Sequence, residues 1–437
     1  MNMNEQPRCM PSASNKFLFA LGLMSVIVGA ACQPLQPSGE TPGVGQPKTP
    51  VRIDTESTTG TTPNPAQASA SVPVPVWQLD TGRSAPVALL LPLSGPQQSA
   101  GMAVRDGFIA AYLDSTRSQQ QRVLVFDVAL LGVAEACRQA EDAGASVIVG
   151  PLLRESVQTL NQTATTIPVL ALNYLPDGEA ARVGVWQFGL APEDETWEIA
   201  ARAVSLGQLR AISLAPDTSW GRRLQTAFQD NFTALGGQVV AARLYSPGEA
   251  DFSPELRAVL AYRDKSPTFE AGRRQDVDLV FLAANNTTGK LIYPQLRFYG
   301  AGDLPTYSTS AIWEDGDRDA NDLNGISFPD GSWMIAPDSR TALLKSQLAR
   351  YWGPQSLALS RLYALGYDAW QLLPAVRSQS VPGPFRDAEV QGVTGTLQAD
   401  SMGRIHRRHL LWATLRGGQP TPAVLPASAF QPVSSER

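Results

Sequence analysis

Cysteine, histidine and uninterrupted charge are all scarce in this chain, and each shortage removes a class of function. Only three of 437 residues are cysteine and two are histidine. Cys9 lies within an N-terminal leader and Cys32 closes it, which leaves Cys137 for the folded part. No disulfide can form inside that part, even in an oxidising compartment. Cys137 falls on a helical stretch, Val133 to Ala143, and reads as a small packed residue. His406 and His409 stand three apart on a strand-like segment and face opposite sides. With no cysteine or carboxylate run beside them, they are not expected to hold a metal. Arg404, Arg407 and Arg408 around them read as a solvated or partner-facing surface. A net charge of −5 without any basic block argues against nucleic acid as a partner. The chain has no G-x-S-x-G elbow, no P-loop lysine, and no G-x-G-x-x-G after its first strand. Glu314-Asp315-Gly316-Asp317 lacks the later bidentate glutamate of a calcium loop and reads as a surface turn. No catalytic residue, metal ligand or cofactor is assigned, and enzymatic activity is not expected.

Long apolar runs are also missing, apart from Phe17 to Ala31. At about fifteen residues it suits a signal-peptide core, whereas a membrane-spanning helix needs about twenty. Residues 1–31 are therefore expected to be a leader. It ends in Gly29-Ala30-Ala31-Cys32, which resembles the lipobox of bacterial lipoproteins. That resemblance implies lipidation of Cys32, which then becomes the mature N-terminus. One departure is Gly29, where leucine is usual; Val28 stands one position further back. Gln33 after the cysteine, where aspartate marks inner-membrane retention, implies the outer membrane, facing the periplasm. The several acyl chains of a lipoprotein make such anchoring lasting. From Gln33 to about Val76 the chain is rich in Pro, Thr, Ser, Gly and Gln and almost devoid of large apolar residues. Such a segment cannot bury enough surface to offset its chain entropy, so 32–78 is expected to be a disordered linker. About 45 residues of it would reach roughly 40 Å as coil and well over about 100 Å if extended.

What is abundant is strand–helix alternation. Val87 to Leu91 is an unbroken apolar run that a parallel sheet would bury on both faces. Pro92 and Ser94-Gly95-Pro96 end it, and Ser99 is placed to cap a helix whose inner face carries Val104, Phe108, Ala111 and Tyr112. Further strands are expected at 123–128, 147–150, 169–173, 211–215, 239–244 and 279–283. Helices are expected between them at 133–143, 155–165, 193–206, 220–235, 254–262 and 288–299. Helices at 339–352 and 357–376 then precede strands at 392–398 and 405–415. Two such sets in succession predict an α/β chain of two doubly wound lobes.

Four stretches carry a family likeness: LLLPLSGPQQSAGMAVRDG at 89–107, VIVGPLLRESV at 147–157, the segment 220–256 and VDLVFLAA at 277–284. They resemble the type I periplasmic-binding-protein fold of leucine/isoleucine/valine-type receptors. VLALNYL at 169–175, RLYALGYDAWQLLP at 361–374 and residues 392–419 resemble, more narrowly, the penicillin-binding protein activator family. The likeness covers nearly all of 86–418. It implies two Rossmann-like lobes joined by a multi-crossing hinge: 86–188 plus 335–392 for the first, 189–334 plus 393–418 for the second. Crossings are expected near Gln187 to Leu190, Trp333 to Ala336 and Gly392 to Thr394, and 419–437 is expected to be a flexible tail. The better-known activators carry an N-terminal helical-repeat domain, where this chain has the linker.

The receptors hold ligands between their lobes on loops at strand ends. By that likeness the candidate cleft residues are Ser94, Gly95, Gln97, Gly150, Ser156, Asn173, Tyr174, Trp220 and Asn285, for an amino-acid-like ligand. Ser156 near a helix start suits a carboxylate, although Arg154, Leu152 and Leu153 stand ready to fill the cleft. Trp186, Trp220, Trp313 and Trp333 are expected in the core. The activator likeness implies a non-enzymatic lipoprotein that binds and stimulates a class A penicillin-binding protein. The alternatives are a solute-binding protein feeding an amino-acid-type ABC transporter, and a lipoprotein that only holds the cell wall.

Overall fold

A computed structural model describes residues 77–79, 84–115, 121–176, 178–265, 272–317, 319–379, 381–385 and 389–423. The expected leader, Cys32, nearly all of the expected linker and residues 424–437 lie outside the described residues.

The first sheet is built from β1 (Trp77–Leu79), β2 (Ser84–Leu91), β3 (Gln121–Asp127), β4 (Val147–Val149), β5 (Val169–Ala171) and β6 (Val185–Phe188). The second is built from β7 (Arg210–Pro216), β8 (Gln238–Tyr245), β9 (Leu279–Leu282), β10 (Thr306–Ser308) and β11 (Ser327–Asp330). Four later strands and a two-residue one are shared out: β12 (Val390–Gln391), β13 (Thr396–Ala399) and β14 (Arg404–Arg408) return to the first sheet, while β15 (Leu411–Arg416) and β16 (Gln419–Pro422) join the second. The strand orders are β1-β3-β2-β4-β5-β6-β14-β13-β12 and β16-β15-β11-β10-β9-β7-β8. Pairing is parallel from β3 through β14 and from β8 through β11, with antiparallel strands at the edges. This is the two-lobed α/β architecture expected from the alternation.

The helices are α1 (Gln98–Asp114), α2 (Val128–Leu131), α3 (Val133–Asp142), α4 (Arg154–Gln162), α5 (Pro192–Ser205), α6 (Ser219–Ala234), α7 (Ser253–Val259), α8 (Asn286–Leu296), α9 (Ser332–Ile335), α10 (Ser339–Trp352) and α11 (Ser360–Arg377). They cover both faces of the strands, and β2 shows the consequence. Val87, Leu89 and Leu91 enter one core while Ala88 and Leu90 enter another, all fully buried. A strand packed on both faces has no use for alternation, which is why its sequence is a continuous apolar run. In the second lobe β9 divides in the same way, Val280 and Leu282 to one side and Leu279 and Phe281 to the other.

Helices α1 and α11 lie unusually close. A Cβ on Gly107 would sit 1.9 Å from the Tyr363 carbonyl oxygen, and one on Gly366 would sit 2.0 Å from that of Val104. Facing glycines let the two backbones touch, and Trp370 then meets Phe108 and Tyr112 edge-on at 5.4 and 5.2 Å. Trp186, Trp313 and Trp333 are buried, whereas Trp220 is half-buried against the second lobe's outer core. Cys137 is buried, and burial pushes its thiol up to about 11, as suits an inert packed residue.

Several boundaries differ from the sequence expectation. The expected linker runs into β1, which pairs antiparallel with β3, and the expected tail begins with β16, which pairs with β15. Ser99 does not cap α1: a short 3-10 turn at Gly95–Gln97 intervenes, and the helix starts at Gln98 with Gln97 at its cap. The segment 405–415 is two strands in two different sheets, broken at His409, whose φ is +52°. Consequently 393–408 belongs to the first sheet, and the chain last passes between sheets at His409–Leu410 rather than near Gly392.

Candidate functional site

The other passages between sheets run from β6 to α5 and from β11 through α9, and side chains of high chemical interest meet around them. The first turn of α5 carries Glu193, Asp194 and Glu195, with Glu198 one turn on. Acids suit a helix N-terminus, yet Asp194, Glu195 and Glu198 are buried, which a dipole alone does not explain. Strand β14 supplies the explanation. Arg407, only 1% exposed, donates from Nη2 to Glu195 Oε1 at 2.9 Å and to the Ala191 carbonyl at 3.0 Å. Its backbone N–H donates to Asp194 Oδ2 at 3.1 Å, while Arg408 Nη1 reaches Asp194 Oδ1 at 2.9 Å. His406 Nδ1 lies 3.0 Å from the same oxygen. Burial alone would raise the Asp194 carboxyl, but the His406 hydrogen bond and the Arg407 and Arg408 charges outweigh it and hold it below its usual range.

Glu195 also accepts from the N–H and hydroxyl of Ser310, at 2.7 and 2.9 Å. Here burial prevails over the Arg407 charge, and Asp330 adds repulsion, so this carboxyl is raised. A second arginine ties the lobes nearby. Arg361 on α11 donates to Asp330 Oδ2 at 2.8 Å and to the carbonyls of Ser310 and Trp313 at 2.9 and 3.2 Å. Asp368 on the same helix accepts from the N–H groups of Val393 and Thr394 and from the Thr394 hydroxyl. The arginine-rich strand read from sequence as a solvated or partner-facing surface is therefore, at Arg407, a buried link between lobes. The reason is α5: its PEDETWE start delivers the carboxylates that make burial of a guanidinium tolerable. The signal was available as an acidic helix start and a basic strand in one chain, but about 210 residues separate them, and nothing local pairs them.

Beside this link lies a cavity of about 260 Å³. Leu172 to Leu175 after β5, Gly189 to Glu193, Arg223 of α6, Leu362 and Leu365 of α11, Arg404 of β14, and Leu152 and Arg154 contribute to its wall. Of the nine residues nominated from sequence, Asn173 and Tyr174 line it. Both are committed to the protein: Asn173 bonds the Leu152 carbonyl and the Tyr174 N–H, and the Tyr174 hydroxyl donates to the Ile405 carbonyl at 2.9 Å. The other seven stand elsewhere. Ser94 is half-buried, and Gly95 and Gln97 are exposed on the 3-10 turn before α1. Gly150 has φ +104°, and a Cβ there would meet the Leu90 carbonyl oxygen at 2.1 Å, so close strand packing accounts for it. Ser156 sits half-buried in the first turn of α4, Trp220 stands in the first turn of α6 against the second lobe's outer core, and Asn285 caps α8 through the Thr288 N–H. Arg154 and Leu152, expected together with Leu153 to fill the cleft, border an open cavity instead, and Leu153 is not part of its wall. Among the described residues no group of three or more His, Cys, Asp or Glu could hold a metal ion, and no helix is long and apolar enough to cross a membrane. Asp317 of the acidic turn pairs with Lys290 at 2.8 Å.

Residues 63–418 match the profile of the LppC putative lipoprotein family. The chain belongs to that family. The penicillin-binding protein activator LpoA of Photobacterium profundum is 27% identical over 377 residues, a match covering 82% of this chain and 59% of the relative. The chain thus spans somewhat under two thirds of that relative's length. The solved C-domain of LpoA from Haemophilus influenzae, described as a regulator of PBP1A, superposes with a TM-score of 0.62 at 26% identity, covering 78% of this chain and all of that domain. A solved protein described as a putative branched-chain amino acid ABC transporter, from Chromobacterium violaceum, gives a TM-score of 0.58 at 24% identity, over 76% of this chain and the whole of that one. The last likeness speaks to the fold. The two-lobed architecture expected from sequence is the one these structures share.

Proposed function

We propose that this LppC-family chain is an outer-membrane lipoprotein, anchored through Cys32 and facing the periplasm, that binds a class A penicillin-binding protein and stimulates its peptidoglycan synthesis. The supporting observation is the match to the whole of a solved regulator domain, at an identity and TM-score above those of the receptor-like transporter protein. The site geometry agrees with it. Gly150, Asn173, Tyr174 and Asn285 of the receptor-type loop residues are occupied in capping, packing or backbone bonds, and buried ion pairs bind one lobe to the other where a receptor would need to move. An activator of this kind works by preferring the active state of its synthase, since only a difference in affinity shifts an equilibrium.

The test is reconstitution. The full chain, mixed with a purified class A synthase from the same cell, should co-purify with it and raise its rate of peptide crosslinking. An unchanged crosslinking rate across a range of chain concentrations, with no complex detected, would rule the function out. Cys32→Ser should abolish incorporation of labelled fatty acid and release the protein from the outer-membrane fraction, and retained labelling would disprove the anchor.

A further inference from the structure

The cavity at the crossings has a chemistry of its own. Three arginines line it, Arg154, Arg223 and Arg404, against one carboxylate, Glu193, which is ion-paired with Arg223. The Arg404 guanidinium lies over the Tyr174 ring, 4.2 Å from its centroid. Among the described residues neither Arg154 nor Arg404 has a carboxylate partner for its side chain. A guanidinium keeps its proton at any working pH, so both charges persist. Much of the remaining wall is leucine: Leu152, Leu172, Leu175, Leu190, Leu362 and Leu365. Asn173 and Tyr174 have spent their polar groups on the backbone. At about 260 Å³ the space lies just below the range of roughly 300–1,000 Å³ usual for small-molecule sites.

We propose that this cavity binds a small aliphatic carboxylate. Its oxygens take the forked donors of Arg154 and Arg404, the geometry for which a guanidinium is suited, and its hydrocarbon lies against the leucines. The same wall disfavours an α-amino acid. An ammonium group would enter beside two uncompensated cations, with its only carboxylate already held by Arg223. The ligand class therefore differs from that of amino-acid receptors, and the residues concerned are largely not the loop positions nominated from them. The inference is independent of synthase activation: either can fail while the other stands.

The experiment is a calorimetric titration of the full chain at fixed ionic strength with 4-methylpentanoate, L-leucine and sulfate. The first two differ only by the α-ammonium group. 4-Methylpentanoate should bind at least tenfold tighter than leucine, and sulfate should bind more weakly than 4-methylpentanoate. Arg154→Gln and Arg404→Gln should each weaken 4-methylpentanoate at least tenfold. Arg222→Gln, which removes an exposed partner of Asp217 away from the cavity wall, should leave it unchanged. Absence of 4-methylpentanoate binding, leucine binding as tightly, sulfate binding as tightly, or full affinity in the Arg154→Gln/Arg404→Gln double variant would each overturn the proposal. The comparison of the two acids uses the unaltered chain, so it decides the matter even if a variant does not fold.

Discussion

Replacing Arg407 by methionine isolates the buried link between β14 and α5. The change keeps much of the side chain's volume and removes its charge, leaving Glu195, itself 2% exposed, without its cation. Breaking a buried pair from one side typically costs about 3–5 kcal/mol, because the remaining charge is stranded in a poorly polarisable interior. Glu195 keeps its two bonds from Ser310, and Asp194 keeps Arg408 and His406, so the lower half of that range is expected. With a urea m-value of about 3 kcal/mol/M, a loss near 3 kcal/mol moves the midpoint by roughly 1 M. Unfolding should be followed by tryptophan fluorescence and by circular dichroism together, since two lobes need not unfold as one.

Two controls make the outcome specific. Glu195→Gln combined with Arg407→Met removes both charges while retaining an acceptor for Ser310. It should cost only about 1–2 kcal/mol, much of it from the Ala191 carbonyl left without its donor. The pH dependence has a definite sign. Without Arg407 the already raised Glu195 carboxyl moves further up, so the folded variant holds a proton that the unfolded chain gives up. Its deficit should therefore shrink from pH 8 to pH 5. A single variant costing under about 1 kcal/mol, or a double variant as unstable as the single one, would show that the link carries little of the fold.

Two further outcomes follow from packing and burial. Gly107→Ala forces a methyl group onto the Tyr363 carbonyl, 1.9 Å away, and should cost about 3 kcal/mol or more in thermal or urea melting; Gly302→Ala, whose nearest neighbour would be at 3.6 Å, should stay within about 1 kcal/mol. Asp368 is pushed up to about 6 by burial, despite its bonds from Thr394 and Val393, so the stabilisation of its protonated form is complete below about pH 4 and lost as pH rises through 6, about 3 kcal/mol in all. Carbon-13 titration of aspartate side chains should find one carboxyl titrating near 6, and none above 4 would contradict this.

The fold was legible wherever burial imposes a pattern. Val87 to Leu91 announced a doubly covered strand because no polar residue can be tolerated on either face. The inner face of α1 showed at Val104, Phe108, Ala111 and Tyr112 because one helix side alone is wetted. Some short strands were missed for the opposite reason, although β4 and β5, three residues each, were expected. β10 and β11 read TYS and SFPD, and their burial depends on neighbours from distant parts of the chain. The same holds for the site. His406, Arg407 and Arg408 look like surface until α5 is placed against them, and a local pattern cannot reveal a partner some 210 residues away. Asn285 and Gly150 were nominated by analogy with receptor loops. Each has a sufficient local task, a helix cap and a close backbone contact, which only coordinates disclose.

How the crossings are held together bears on which kind of protein this fold can be. A receptor reports its ligand by changing the angle between lobes, so the residues at its crossings must permit bending. Here Arg407 joins β14 of one sheet to the start of α5, and Arg361 joins α11 to Asp330 at the end of β11. Moving either pair apart would uncover a buried carboxylate together with its guanidinium, and the bonds that Ser310 gives Glu195 would have to follow. An activator has no need of that motion. To raise the ratio of active to inactive partner tenfold it needs only about 1.4 kcal/mol more affinity for the active state. A surface held in one shape supplies that difference without first ordering its own lobes. Ion pairs that would burden a receptor therefore suit a regulator, and a preformed cavity beside them can still take a small anion without the lobes parting.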